Sequence, residues 1–242
     1  MYQILIKEVN TFLNSLTAYV VIVVFLTTIG LLMWVFPDTS VLQYGFADME
    51  MLFRLGPYVF MFLIPAITMR MFSEERKTGT LEILLTKPLT DYQIILGKYL
   101  ASIILVIFSI LPTLLYYFSL YKLGSPPGNI DTAGVTGSYV GLILLGGVFA
   151  SIGLFSSALT ENQVVAFIIA VFLSYILYDG FQSLALIDVW AGYTAILEKL
   201  CIANYYNNLS RGLIDLASVV YFLSIICFMI LLTKLVTGSR KW

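Results

Sequence analysis

Met71-Phe-Ser-Glu-Glu-Arg-Lys-Thr-Gly-Thr-Leu-Glu-Ile-Leu-Leu-Thr-Lys-Pro-Leu-Thr-Asp91 is the stretch in which a chain otherwise poor in charge comes into water. Widened to residues 70–98, it holds nine of the 27 charged residues: Arg70, Glu74, Glu75, Arg76, Lys77, Glu82, Lys87, Asp91 and Lys98. Ser73 is placed to cap a short helix, with Glu74 and Glu75 favourable in its first turn. Gly79 ends or bends that turn. Residues 80–86 alternate apolar and polar in helical fashion, Pro88 stops them, and Thr90 with Asp91 caps the next helix. An ordinary solvated loop would leave Leu81, Ile83, Leu84, Leu85 and Leu89 in water without reason. A charged face beside an apolar one is the pattern of a surface that meets a protein partner.

On both sides of this segment the chain is apolar. Of the 242 residues 60% are hydrophobic and 11% charged, against about 25% charged in soluble domains. Too few charges remain to solvate a globule of this size, so lipid is the solvent for most of it. A helix needs about 20 apolar residues to cross a hydrocarbon core of about 30 Å. The charges bound six such runs: 16–36, 50–70, 99–121, 139–159, 162–178 and 216–234. Pro57 and Pro65 interrupt the second; membrane helices tolerate proline at the cost of a kink. The expected fold is an all-α membrane protein with six transmembrane helices in one domain, residues 1–242. The first run exceeds the length of a cleavable signal core, and no small-residue cleavage pattern follows it.

The remaining pieces have their own character. In residues 1–15, Tyr2, Leu5, Ile6, Val9, Phe12, Leu13 and Leu16 recur at three- and four-residue steps opposite Gln3, Lys7 and Asn14, which describes an amphipathic helix lying along the membrane surface. Residues 71–98 form the loop between spans 2 and 3, with a helix of their own. Residues 180–211 are semi-apolar and too short for two further crossings, so a short helical hairpin dipping into the outer leaflet is expected. With the N-terminus inside, nine Lys and Arg fall on inner segments and four on outer ones, and six crossings return the C-terminus to the same side.

Composition also excludes chemistry. There is no histidine, and Cys201 and Cys227 show no metal or redox spacing. No catalytic residue, metal site or bound cofactor is expected. A net charge of −1 offers nothing to nucleic acid. No Gly-x-x-x-x-Gly-Lys-Ser/Thr loop is present to cradle ATP.

These features together resemble the ABC-2 type permeases. Ser73 to Glu82, with Leu84, Leu85, Pro88 and Gln93-Ile-Ile-Leu-Gly-Lys98, carries most of the similarity. More narrowly, the chain is similar to the gliding-motility-associated ABC permeases through Phe62-Leu-Ile-Pro-Ala-Ile-Thr-Met-Arg70, Leu123-Gly-Ser-Pro-Pro-Gly-Asn-Ile-Asp131, Gly153-Leu-Phe-Ser-Ser157, Ser210-Arg-Gly-Leu-Ile-Asp215 and the terminal Ser239-Arg-Lys-Trp242. Tyr205-Tyr206 stands where that group often has His-Tyr, and Leu216-Ala217 where charges are usual.

The resemblance implies a half-transporter in a bacterial inner membrane, of export type and associated with gliding motility. Its partners would be an ABC ATPase carrying the ATP and Mg, a second permease copy or related permease, an auxiliary membrane subunit, and the bilayer itself. Glu74, Glu75, Arg76, Lys77, Gly79, Thr80, Leu81 and Glu82 would form the ATPase-coupling element. Tyr205, Tyr206, Ser210, Arg211, Gly212 and Asp215 would mark the outer hairpin. Two rival classes stand beside this one. An ion-coupled carrier would need ionisable groups at mid-membrane depth, whereas Glu161 and Asp179 bracket the fifth run. A mechanical anchor for a motility or secretion machine, moving no cargo, would use the same loop.

Overall fold

Apolar runs of this length leave the backbone no partner but itself in lipid, and helices are the result. The computed structural model describes residues 1–44, 48–80, 90–185, 192 and 194–238, and every regular element among them is helical. Helix α1 (Tyr2–Leu13) meets α2 (Leu16–Trp34) at a corner of 68°. The Ser15 hydroxyl makes that corner, donating to the Phe12 carbonyl at 2.8 Å and accepting from the Ala18 amide at 3.4 Å. After the short α3 (Val41–Tyr44), α4 (Glu50–Thr68) runs almost unbroken into α5 (Arg70–Lys77). Next come α6 (Asp91–Ile110), a 3-10 turn at Leu111–Thr113, α7 (Leu114–Leu123) and α8 (Thr132–Leu159). Helix α9 (Gln163–Tyr175) passes through a π-helical turn, Ile176–Gly180, into α10 (Phe181–Ala185). The short α11 (Thr194–Leu200) and α12 (Ile202–Leu209) precede the last helix, α13 (Leu216–Gly238).

Five of these bodies are long and apolar enough to cross a membrane: Glu50–Lys77, Asp91–Leu123, Thr132–Leu159, Gln163–Ala185 and Leu216–Gly238. Helix α2, turned away from α1, brings the number to six. At 19 residues it is about 28 Å long, enough for one crossing. Helix α8 is the centre, packed by α4, α6, α9 and α13. Gly153 shows why it can be: a Cβ there would fall 2.0 Å from Oγ1 of Thr68 on α4, so only glycine lets the two helices come this close. One turn on, Ser157 takes the free amides of Phe72 and Ser73 at 2.9 and 3.1 Å and donates to the Met69 carbonyl at 2.8 Å. The Gly-Leu-Phe-Ser-Ser motif is thus the seam that joins α8 to the α4–α5 junction.

The structure redraws several expected boundaries. Pro57 and Pro65 both lie inside α4, buried, and the Met69 amide already bonds back to the Pro65 carbonyl at 2.8 Å. Ser73 does not cap a helix. It lies within α5, buried, with its hydroxyl donated to the Met69 carbonyl; the span simply continues through it. Thr90 does cap α6, in a capping box with Gln93. Helix α6 therefore starts two turns before residue 99, and Lys98 lies inside it. The fifth span runs on to Ala185, so Asp179 lies within a helix and not at its end. Leu81 and Glu82, the helix expected over 80–86 beyond Thr80, and the basic tail at Arg240 and Lys241 lie outside the described residues, as do residues 186–191 and 193 of the outer hairpin.

Candidate functional site

Gly79 ends the α4–α5 body with φ +70, a backbone setting in which glycine has no steric cost. Around that end, four charged side chains from three helices converge. Lys98 of α6 has no solvent exposure, and its Nζ meets Glu8 Oε1 of α1 at 2.8 Å and Glu75 Oε2 of α5 at 2.9 Å. It also donates to the Met71 carbonyl at 2.6 Å and lies 5.1 Å from the centre of the Phe72 ring. On the other side of the carboxylates, Lys7 donates to Glu75 Oε1 at 2.9 Å and stands 3.8 Å from Glu8. Two ammonium groups and two carboxylates make a neutral cluster.

Burial alone would depress Lys7, but the hydrogen bond and charge of Glu75, with Glu8 and Glu74 behind, hold its ammonium above the ordinary value. Arg70 completes the attachment: its Nη2 donates to Ser15 Oγ at 2.8 Å and its guanidinium lies 5.4 Å from the Phe12 ring centre. It thus holds the α1–α2 corner to the head of α5. A cavity of about 210 Å³ beside the cluster is lined by Lys7, Glu8, Arg70, Glu74, Glu75, Thr78 and Thr80 among others.

The predicted coupling residues divide into two sets. Glu75 and Arg76 are buried, with relative exposures of 9% and 8%. Glu74, Lys77, Gly79 and Thr80 are exposed. Glu75 ties α5 into the bundle through Lys7 and Lys98, and the outward set is open to another molecule.

Glu8 and Lys98, the centre of the cluster, were not among the predicted site residues. The signals were there. Ile4, Glu8 and Phe12 recur every four residues, and Ile4 and Phe12 are the buried positions of α1, so Glu8 shares the protein-facing stripe. That stripe differs from the expected apolar face, because Tyr2 and Ile6 point away from the protein. Ile4 instead lies against Gly97, where an added Cβ would be 3.3 Å from Ile4 Cβ. Lys98 is a lone charge two turns into a capped helix, which marks a buried group that needs partners.

At the opposite end of the bundle, the outer-hairpin residues have separate positions. The buried Tyr206 hydroxyl donates to the Phe53 carbonyl of α4 at 2.8 Å. Tyr205 stacks on Tyr221 of α13, ring centres 4.0 Å apart. The Ser210 carbonyl accepts from Ser138 Oγ at 2.7 Å. Gly212 turns with φ +79, and a Cβ on it would meet Gly134 Cα at 2.5 Å. Asp215 Oδ2 accepts from the Ser218 amide at 3.2 Å at the start of α13, and bonding to Ser218 holds its carboxyl below the ordinary range.

The Ser-Arg-Gly-Leu-Ile-Asp motif is therefore a turn that seats the hairpin on α8. Tyr206, Ser210 and Arg211 also face a cavity of about 630 Å³, shared with Arg54 and Tyr58 of α4, Asp131 at the N-cap of α8, Ser138 of α8, and Tyr178 and Asp179 of the π turn. Tyr205, Gly212 and Asp215 are not part of its lining. Among the described residues no group of three or more acidic or cysteine ligands is placed to hold a metal ion.

Residues 2–233 match the family model described as ABC-2 family transporter protein. No curated relative matches the chain.

Proposed function

The chain belongs to the ABC-2 family of transporters, a multi-pass permease component with no catalysis of its own, and from that premise we propose that its α5 end receives the stroke of a separate ATP-hydrolysing subunit. The observation that carries this reading is the neutral cluster of Lys7, Glu8, Glu75 and Lys98. It ties α5 to α1 and to α6, and α5 is itself the continuation of the second span. A push on the exposed Glu74, Lys77 and Thr80 then moves spans 2 and 3 and the surface helix as one body, because packed interiors shift between discrete arrangements and do not deform smoothly. ATP and Mg would be held by the partner, since the chain lacks a phosphate loop.

The α5 end is taken as cytoplasmic. It gathers Lys7, Arg70, Arg76, Lys77 and Lys98, and Lys234 of α13 stands over the Tyr92 ring at 4.0 Å at the same end. On this reading both termini are inside and the 630 Å³ cavity faces outward. Two permease units around one pathway, an auxiliary membrane subunit, export of cargo, a bacterial inner membrane and a link to gliding motility complete the proposal. They rest on the motif likeness of residues 62–70, 123–131, 153–157 and 210–215.

The test is retention of an ATPase. Affinity-purified chain is expected to bring down an ATP-hydrolysing subunit. Glu74→Ala with Lys77→Ala should reduce the bound ATPase several-fold while leaving the melting temperature of the chain unchanged. Undiminished retention in that double variant would remove the docking assignment.

A further inference from the structure

The outer cavity contains charges that the bundle itself does not neutralise. Its volume of about 630 Å³ falls within the range of about 300–1,000 Å³ common to small-molecule sites. Its carboxylates are not equivalent. Asp131 Oδ1 is committed to the Gly134 amide, and Asp48 Oδ1 to the Glu50 amide. Glu50 opens α4, where the helix dipole favours it. Asp179 is different: it lies inside a helix of the fifth span, in a π-helical turn, and such turns recur at functional sites. Arg54 lies likewise within the second span. Neither enters any ion pair among the described residues. A charged side chain set within a spanning helix, without a counter-charge, is a functional signal by default.

The geometry between them is specific. Arg54 and Tyr58 are one helical turn apart on α4 and share a face. The Tyr58 ring meets Tyr178 edge-on, centres 5.8 Å apart at 81°, and Tyr178 meets Tyr206 at 6.3 Å. Asp179 follows Tyr178 directly. Arg54 and Asp179 therefore line one cavity together with Tyr58 and Tyr178, and no ion pair joins them among the described residues. An ammonium group is held by a carboxylate together with aromatic faces, and a phosphate by the guanidinium fork.

We propose that this cavity is a binding site for a zwitterionic headgroup bearing both phosphate and amine. Arg54 takes the phosphate and Asp179, beside Tyr58, takes the ammonium. Arg211 lines the same cavity and adds a second guanidinium for a phosphate, so a ligand of a single sign would leave either the guanidinium groups or Asp179 unanswered. The same headgroup chemistry could arrive as a water-soluble phosphodiester or on a phospholipid.

Isothermal titration of the detergent-purified chain, with no ATPase or nucleotide present, tests the site separately from the coupling reading. The probes are glycerophosphoethanolamine, dioctanoyl phosphatidylethanolamine, and the phosphoglycerol counterpart of each. Binding of the ethanolamine probes is expected to be at least about tenfold tighter than that of the phosphoglycerol ones. Asp179→Asn and Arg54→Gln should each weaken it by roughly tenfold or more, the loss expected for a hydrogen bond to a charged group. Lys122→Gln, outside the cavity, should leave it unchanged. Binding of both ethanolamine forms supports a soluble ligand, and binding of the lipid form alone supports a lipid. Should Asp179→Asn fail to fold, Arg54→Lys, which keeps the charge but loses the fork, is expected to weaken the ethanolamine probes. Absence of binding, equal binding of the phosphoglycerol probes, or indifference to both Arg54 variants and to a folded Asp179→Asn would overturn the site.

Discussion

Replacing Lys98 by methionine keeps most of the side-chain volume and removes one charge from the cluster at the α5 end. Lys98 has no solvent exposure, and its two carboxylate partners are only 12% and 11% exposed at the side chain. Leaving a buried charge without its partner typically costs about 3–5 kcal/mol. Two features place this site at the lower end. Glu75 keeps Lys7 at 2.9 Å, and Glu8 has the same ammonium at 3.8 Å. Against that, the Met71 carbonyl loses the donor that met it at 2.6 Å. The net expectation is a loss of about 3 kcal/mol, or roughly two powers of ten in the folded-to-unfolded ratio. Reversible unfolding in mixed micelles would measure it. The double variant Lys98→Met with Glu8→Gln should lose less than the sum of the two single changes, because the members share partners. A loss under about 1 kcal/mol, the worth of an exposed ion pair, with additive single effects, would show that the cluster does not hold the three helices together.

Tyr206→Phe removes only the hydroxyl that donates to the Phe53 carbonyl at 2.8 Å, and should cost about 1 kcal/mol in the same unfolding assay. Gly153→Ala places a methyl 2.0 Å from Thr68 Oγ1. An overpacking loss of about 1–3 kcal/mol is expected, and Thr68→Ala in the same chain should recover only part of it, because the residue 68 Cβ stays 2.9 Å from the new methyl. Lys7 carries a raised pKa, so its share of stability is fully present below the ordinary lysine value and is lost as pH rises through the higher folded-state one. Protection of the α1 amides, taken relative to the base-catalysed intrinsic exchange rate, should therefore be insensitive to Lys7 titration at neutral pH and fall in strongly alkaline solution. Lys7→Met should lessen that fall.

Much of the fold could be read from the sequence because charge is so costly in lipid that its spacing marks the crossings. The runs bounded by Lys98 and Lys122, or by Asp215 and Lys234, needed no tertiary knowledge. Interior detail did not follow in the same way. Ser73 looks like a cap because Ser-Glu-Glu is a capping pattern, but nothing local reveals that the preceding span continues as helix through Thr68 and Met69. Asp179 reads as a boundary because it closes an apolar run, and only the π turn and Phe181–Ala185 beyond it show that it lies inside the helix.

The coupling residues show the same division. Glu74, Glu75, Arg76 and Lys77 form one charged run, but a helix gives successive residues different faces, separated by about 100°. Which face is buried is set by residues remote in sequence, Lys7 and Lys98 at Glu75 and Ser157 at the Phe72 and Ser73 amides. One practical consequence is that Glu75 is a poor position at which to probe an ATPase, because its loss would disturb the permease itself. Glu74 and Lys77 are the informative pair.

On the proposed reading the exposed end of α5 touches an ATPase. Photo-crosslinking from that end in the intact membrane complex tests it most directly. With a photoreactive residue at Glu74, Lys77 or Thr80, adducts to an ATP-binding polypeptide are expected, with a yield that changes when a non-hydrolysable ATP analogue is added. The same residue at Asp131, at the opposite end of the bundle, should give no such adduct. Adducts to the ATPase from Asp131, or none from any of the three positions at the α5 end, would contradict that reading.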